Sequence, residues 1–242
     1  MLDFCPKIRL YVPQPFSEGE GLVLPENQSH YLAHVMRCRE GESIAVFNGY
    51  QGEWLAEISS VRKKSVMLLL KKQIAAQQKN AGLWLAFAPI KNKTDLVAEK
   101  AVELGVSSLH LVYTSYAVVR NVKRGKLEAH VALAAEQCGR HDVPSIEEHK
   151  DIPSLLSVWP DERTLLFADE SGGSVAIKQL LSSLPPGKYG VLIGPEGGFS
   201  EGERRLLHDS PCVKAFGLGP RILRADTAAV AALACVQAWL GD

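Results

Sequence analysis

Two glycine- and proline-rich turns near the C-terminus constrain this chain most. The first, Gly194-Pro195-Glu196-Gly197-Gly198-Phe199-Ser200, directly follows the apolar run Tyr189-Gly190-Val191-Leu192-Ile193. The second, Gly217-Leu218-Gly219-Pro220-Arg221-Ile222-Leu223-Arg224-Ala225-Asp226-Thr227, directly follows Cys212-Val213-Lys214-Ala215-Phe216. Each apolar run reads as a short buried strand, and each turn leads into a helical pattern. Glycine permits positive φ and close backbone approach to a ligand, and proline fixes the turn. Two such turns at the C-terminal ends of neighbouring strands are where an open α/β sheet binds a small ligand.

The rest of the chain supplies the sheet. From Leu83 onward strand and helix patterns alternate. Strands are read at Leu83–Ala88, Leu109–Val112, Thr164–Ala168, Gly190–Ile193 and Val213–Phe216. Helices are read from Thr94 to Leu104 with Thr94 as cap, over Lys126–Cys138, around Val175–Leu181 and Glu201–His208, and over Thr227–Leu240 with Asp226 as cap. This alternation implies a parallel sheet covered on both faces. The first seventy or so residues differ. Short strands at Ile8–Val12, Gly21–Leu24, Ser43–Phe47, Glu53–Val61 and Ser65–Leu70, with a turn at Asn48-Gly49, read as a small β-barrel or sandwich. A short helix over Asn27–Met36, capped by Asn27, interrupts them. The polar stretch Ile74–Gly82 reads as the linker, which divides the chain into 1–73 and 74–242.

Composition narrows the class. The 242 residues carry 46% hydrophobic and 22% charged side chains, ordinary for a soluble globular protein. Formal net charge is zero, so a polyanionic partner has to meet a local basic patch. Cys5, Cys38, Cys138, Cys212 and Cys235 are odd in number and form no C-x-x-C pair, which disfavours a disulfide framework or zinc site and fits a reducing, cytosolic setting. The seven histidines show no metal spacing, so no metal is assigned. The N-terminus lacks a signal-peptide layout, and the apolar stretch Ala228–Leu240 is too short to span a bilayer and reads as a buried helix.

The turn at Gly194 lacks the Gly-Lys-Ser/Thr of a phosphate loop and the spacing of a dinucleotide fingerprint. Either turn alone would suit mere chain reversal. Together, with Glu196, Arg221 and Arg224 inside them, they favour a ligand whose edges are read by backbone groups. The two arginines suit a phosphate or an anionic transition state; the competing role is ion pairing with Glu196 or Asp226. Lys91-Asn92-Lys93, ahead of a helix start, fits either an anion site or a solvated basic turn. Glu136-Gln137-Cys138-Gly139-Arg140-His141 ends a helix with a cation, as the helix dipole favours. Arg37, Arg39, Lys63, Lys64, Lys71 and Lys72 make a candidate basic face on the barrel, the usual setting of an RNA platform.

The segments Leu192–Ser200 and Leu218–Ala228 closely resemble the RsmE family, bacterial methyltransferases of the SPOUT superfamily that modify N3 of one uridine in small-subunit (16S) ribosomal RNA. Further matches are Arg9-Leu10-Tyr11-Val12, His30-Tyr31-Leu32 with Val35-Met36-Arg37, Glu99–Val106, and Glu136-Gln137-Cys138-Gly139-Arg140, so the resemblance covers nearly the whole chain. Asp226 stands where most members have Glu, which keeps the carboxylate and shortens its reach. The resemblance implies a PUA-like RNA-binding barrel over 1–73 and a SPOUT domain with a trefoil knot over 74–242. Nothing in the spacing indicates a knot, and knots are rare. The resemblance also implies S-adenosyl-L-methionine as donor, a cytoplasmic homodimer, and 16S rRNA or the assembled small subunit as partner, without metal or membrane.

By the same similarity the cofactor pocket maps to Leu166, Phe167 and Ala168; to Ile193, Gly194, Pro195, Glu196, Gly197 and Gly198; and to Leu218, Gly219, Ile222, Leu223, Thr227 and Ala228. Arg9, Arg37, Arg39, Lys91, Lys93 and Arg140 are the residues expected at RNA. Uracil N3 becomes nucleophilic only on losing its proton. Arg221 or Arg224 would stabilise the anion, and Glu196 or Asp226 would accept the proton. Transfer to a ribose 2′-hydroxyl or another base, or a non-catalytic RNA-binding assembly role, are the competing functions.

Overall fold

Strict alternation builds the N-terminal sheet. Val66, Leu68 and Leu70 are buried, while Met67 between them is 40% exposed. The structure is a computed structural model that describes residues 6–62, 65–78, 82–172 and 174–241. Cys5, Lys63 and Lys64 lie outside these. The chain divides into two units: residues up to 79 together with Ala135–Val143, and the remainder.

In the first unit, β1 (Arg9–Tyr11), β2 (Gly21–Val23), β3 (Ser43–Phe47), β4 (Glu53–Arg62) and β5 (Ser65–Ala75) pair in the order β1-β3-β4-β5-β2. β1 runs parallel to β3 and the other pairs are antiparallel. Leu10 of one edge strand and Leu22 of the other enter the same core with Ile44, Val46, Ile58 and Leu68, so the sheet curls around it. Three register shifts between β4 and β5 supply the bend. β5 extends to Ala75, into the stretch read as linker. The expected helix over Asn27–Met36 begins instead at Glu26 behind Pro25, as α1 (Glu26–His30), and continues as one π turn (Tyr31–Val35). Proline suits that boundary because it forms no intrahelical N–H bond.

At Asn48-Gly49 the expected turn is held by the Asn48 side chain, which accepts from the amides of Tyr50 and Gln51. Gly52 closes it at φ +68°, and a Cβ there would sit 2.2 Å from the Ala75 carbonyl oxygen.

The second unit has a six-stranded, wholly parallel sheet in the order β11-β9-β10-β6-β7-β8. In chain order it runs β6 (Leu83–Phe87), α2 (Thr94–Glu103), β7 (Val106–Val112), α3 (Arg124–Cys138), β8 (Ser145–His149), α4 (Ile152–Ser157), β9 (Arg163–Ala168), α5 (Ile177–Ser183), β10 (Lys188–Ile193), α6 (Glu201–Asp209), β11 (Val213–Phe216) and α7 (Ala225–Leu240). The order turns outward from the centre in both directions, and pockets form where it does so. β8 and α4 carry no apolar run and were not expected. β8 is an edge strand with only Ile146 and His149 buried, and α4 starts on an Asp151–Ser154 capping box. Lys93 rather than Thr94 occupies the cap of α2; the Thr94 hydroxyl instead exchanges hydrogen bonds with the backbone of Ile90.

Under this sheet lies a buried polar cluster. The His110 ring stacks on His149 and lies 4.6 Å from the Trp84 ring. Its Nε2 is 3.0 Å from Ser108 Oγ and its Nδ1 is 3.0 Å from His149 Nε2. The Arg163 guanidinium lies 3.9 Å above Trp84 and donates to the Tyr189 carbonyl. Burial, then His149 and Arg163, push His110 down to about 3, and burial lowers His149 as well.

Two predictions follow from this packing. Gly52→Ala is expected to cost about 2 kcal/mol or more, from positive φ plus the backbone clash. Gly41→Ala, also at positive φ but with nothing within 4 Å, is expected to cost about 1 kcal/mol. Urea midpoints decide it, and equal losses would refute the clash. Separately, below about pH 6.5 the unfolded chain protonates His110 while the folded chain does not. Stability therefore falls as pH drops toward 3, by about 1.4 kcal/mol per pH unit for one such proton. His110→Gln should flatten that slope in urea titrations at successive pH values; an unaltered slope would exclude His110 as its source.

Candidate functional site

β9, β10 and β11 are neighbours, run the same way, and end at Ala168, Ile193 and Phe216. Three chain turns therefore leave the sheet side by side, and a pocket of about 420 Å³ opens between them. One wall is formed by Ala168–Gly172 with Ser174 and Ala176. The second is the Ile193–Gly198 turn, and the third is the Phe216–Leu223 turn, with Ala225 and Ala228 of α7 beneath.

Local chemistry shapes each wall. Gly194 lies so close to the Phe199 ring that a Cβ would meet it at 2.5 Å. Ser200 and Glu203 form a capping box that starts α6 and ends the turn. Glu203 also accepts from the Ser115 amide, at 2.8 Å. On the first wall Asp169, its side chain 2% exposed, accepts from the Ser171 amide, the Ser174 hydroxyl, Arg204 and His208. Burial pushes its carboxyl up, but the bonds from Ser171, His208 and Ser174 outweigh this and hold it below the usual range. The segment beyond it pairs with the third wall through the Ala176–Gly217 bridge.

Of the residues expected at a cofactor, Ala168, Ile193, Gly194, Pro195, Glu196, Gly198, Leu218, Gly219, Ile222, Leu223 and Ala228 line the pocket. Leu166 and Phe167 do not. They lie within β9 and are fully buried, with Phe167 edge-on to Phe199 at 5.0 Å; the wall begins only where the strand ends. Gly197 faces Tyr116, whose Cβ would be 3.1 Å from an added methyl, and Thr227 sits exposed on α7. Sequence reading missed Ser171, Gly172, Ser174 and Ala176 as lining residues, although Ser171-Gly172-Gly173-Ser174 is itself a short glycine-rich run at a strand end. It also missed Arg204 and His208, whose partners are distant in the chain.

Among the residues expected in chemistry, Arg221 and Glu196 line the pocket, and Arg224 is exposed at the start of α7. Neither guanidinium has a hydrogen-bond or ion-pair partner among the described residues, so the alternative of pairing with Glu196 or Asp226 is not realised. Asp226 is not the cap of α7; Arg224 is. Asp226 sits in the first turn and is bound by Lys93. That hydrogen bond, more than any other influence, holds the Asp226 carboxyl below its ordinary range and weakens it as a base.

The residues expected at RNA divide similarly. Arg37, Arg39 and Lys91 are exposed. Lys93 is committed to Asp226. Arg9 pairs with Glu53 and donates to the carbonyls of Ala135, Glu136 and Arg140. Arg140 pairs with Asp142 at 2.7 Å. The structure thus gives Arg9, Arg140 and Lys93 internal partners.

This combination of fold and site defines an RNA methyltransferase with a PUA domain: the RNA methyltransferase domain family matches residues 77–237, and the RNA methyltransferase PUA domain family matches residues 24–70. A ribosomal RNA small subunit methyltransferase E of Rickettsia conorii is 32% identical over 95% of this chain and 94% of its own. A methyltransferase structure from Legionella pneumophila, with the bound cofactor SAM, is 29% identical at a TM-score of 0.86 and covers 96% and 97% of the two chains. A ribosomal RNA small subunit methyltransferase E from Neisseria gonorrhoeae bound to S-adenosyl methionine is 28% identical at 0.84, covering 97% of each chain. The chain belongs to the ribosomal RNA small subunit methyltransferase E family, the one its late turns resemble.

The Lys93–Asp226 pair can be tested directly. In Lys93→Met the Asp226 carboxyl is expected to titrate higher than in the wild type, followed by carbon-13 NMR of the labelled side chain. An unmoved midpoint would remove Lys93 as the cause.

Proposed function

We propose that this protein transfers a methyl group from S-adenosyl-L-methionine to N3 of one uridine in small-subunit (16S) ribosomal RNA. The observation that carries the reading is the pocket at three parallel strand ends, with two unpaired arginines on its third turn and the start of α7. Its residues fit the cofactor. About 420 Å³ is within the range of small-ligand pockets, Ile193, Leu218 and Leu223 offer apolar surface for an adenine, and glycine turns offer backbone groups to its edges. The carboxylates of Glu170 and Glu196 suit the cationic sulfonium and ammonium groups.

When bound, the cofactor supplies a methyl already activated on sulfur. The chain's own residues have to make uracil N3 nucleophilic. Arg221 and Arg224 stabilise negative charge on the uracil carbonyl oxygens. Glu196, exposed and without an ion-pair partner among the described residues, accepts the N3 proton in preference to Asp226, which Lys93 already holds. The target base enters unstacked. In this reading residues 1–73 hold RNA and 74–242 carry the transfer. Arg37, Arg39 and Lys91 are the cations free to meet phosphates.

The reading includes a trefoil knot, supported by the pairing of Ala176 with Gly217 while α7 beyond it packs back on β10 and α2. It includes a cytoplasmic homodimer, for which Ile222, 93% exposed next to Arg221, offers an apolar contact.

The test is methylation of 16S rRNA and of 30S particles with labelled cofactor, followed by nucleoside digestion and mass spectrometry. 3-Methyluridine supports the reading. A 2′-O-methyl or other product, or none, rejects it in favour of another acceptor or a non-catalytic RNA-binding role. Arg221→Ala is expected to lower kcat about 100-fold while cofactor affinity stays within about twofold. Unchanged turnover would remove Arg221 from the mechanism.

A further inference from the structure

The pocket walls belong to different turns, and the sheet ladder sets their spacing only as far as the strand ends. One side chain joins two of them. Arg204 projects from α6 and uses its whole guanidinium. Nε donates to the Phe199 carbonyl at 3.1 Å, one terminal nitrogen donates to Asp169 at 2.9 Å, and the other binds Glu170. Phe199 belongs to the turn after β10; Asp169 and Glu170 belong to the segment after β9. Gly198 makes room for the junction. A Cβ there would lie 2.2 Å from the Glu170 carboxylate and 3.1 Å from the guanidinium.

Asp169 carries the connection onward. His208, one helical turn after Arg204, holds its second oxygen at 3.1 Å. The Ser171 amide and Ser174 hydroxyl bind the same carboxylate and so shape the segment that follows. That segment reaches the third wall, where the Gly217 amide donates to the Val175 carbonyl at 2.9 Å and the Asp169 amide donates to the Phe216 carbonyl at 2.9 Å. The carboxylate and the guanidinium therefore tie the first two walls, and backbone hydrogen bonds tie the first wall to the third.

We infer that Arg204 is a positioning residue that sets the separation of the pocket walls, acting through Asp169, Glu170 and the Phe199 carbonyl rather than by touching substrate. This rests on the proposed cofactor reading of the pocket. A planar fork with fixed donor angles suits the task, and lysine cannot reproduce three directed bonds from one ammonium.

The experiment compares wild type with Arg204→Gln, Arg204→Lys and Arg205→Gln, the last altering a neighbouring exposed arginine on the same helix. In cofactor-free protein, amide exchange of residues 170–176 and 217–219 is expected to accelerate in Arg204→Gln and not in Arg205→Gln. Affinity for S-adenosylhomocysteine, by calorimetry, is expected to fall about tenfold or more in Arg204→Gln, by an intermediate factor in Arg204→Lys, and not in Arg205→Gln. The KM for S-adenosylmethionine should rise more than kcat falls. Should Arg204→Gln fail to fold, His208→Gln removes one donor to Asp169 and is expected to accelerate exchange in the same segments. Unchanged exchange and affinity within about twofold of wild type would overturn the inference. If wild type itself binds neither nucleoside, the cofactor reading fails, while the exchange comparison still decides whether Arg204 holds the walls.

Discussion

A carboxylate taken out of water must be met by donors from every side, and Asp169 is such a carboxylate. Its donors come from α6, from its own turn, and from a serine further along. Meeting that demand forces α6 to lie where Arg204 and His208 reach, and forces the chain after β9 into one path. That path is the first wall of the pocket, and it ends paired with Gly217 on the third. The order of the walls follows from satisfying one buried charge. An apolar residue at 169 would leave Arg204 and His208 without this partner, while Leu207 and the Ser200–Glu203 capping box would still hold α6 to the core.

Around this fixed centre the other charges are divided into those already satisfied and those left open. Lys93 and Asp226 satisfy each other, which weakens the carboxylate as a base. Arg221 and Arg224 stay unpaired on the third turn and at the start of α7. An unpaired guanidinium in water costs little and keeps its full field for an incoming anion.

The sheet, the glycine turns and most of the pocket were legible in the sequence, because strand-length apolar runs followed by glycine are a local signal. β8 and α4 were not, since an edge strand such as Ser145–His149 buries only Ile146 and His149 and looks polar. The pocket was displaced by two residues on β9, where Leu166 and Phe167 continue the core and only Ala168 turns outward. The Gly197-Gly198 pair was read as lining the pocket together; only Gly198 does, and Gly197 lies against Tyr116. Arg204 was illegible for a different reason. Its partners lie 34 and 35 residues away, and no spacing rule connects an arginine on an exposed helix to a carboxylate at a strand end.

The same argument governs the basic residues. A count of zero net charge treats every lysine and arginine alike, yet the fold has spent several of them. Arg9 closes four contacts around the end of α3 and Glu53, and Arg140 is occupied by Asp142. What remains toward solvent is a smaller set that includes Arg37, which takes a left-handed φ of 55° just after the π turn, and Arg39. Val35 and Met36 beside them are exposed as well. Fields from exposed charges fade within about 10 Å at ordinary salt, so such a cluster acts on what touches it and not on polyanions at large. On the proposed reading, a neutral chain then gains its RNA from local fit of cations and apolar groups rather than from long-range attraction, and the specificity for one uridine has to arise in the pocket.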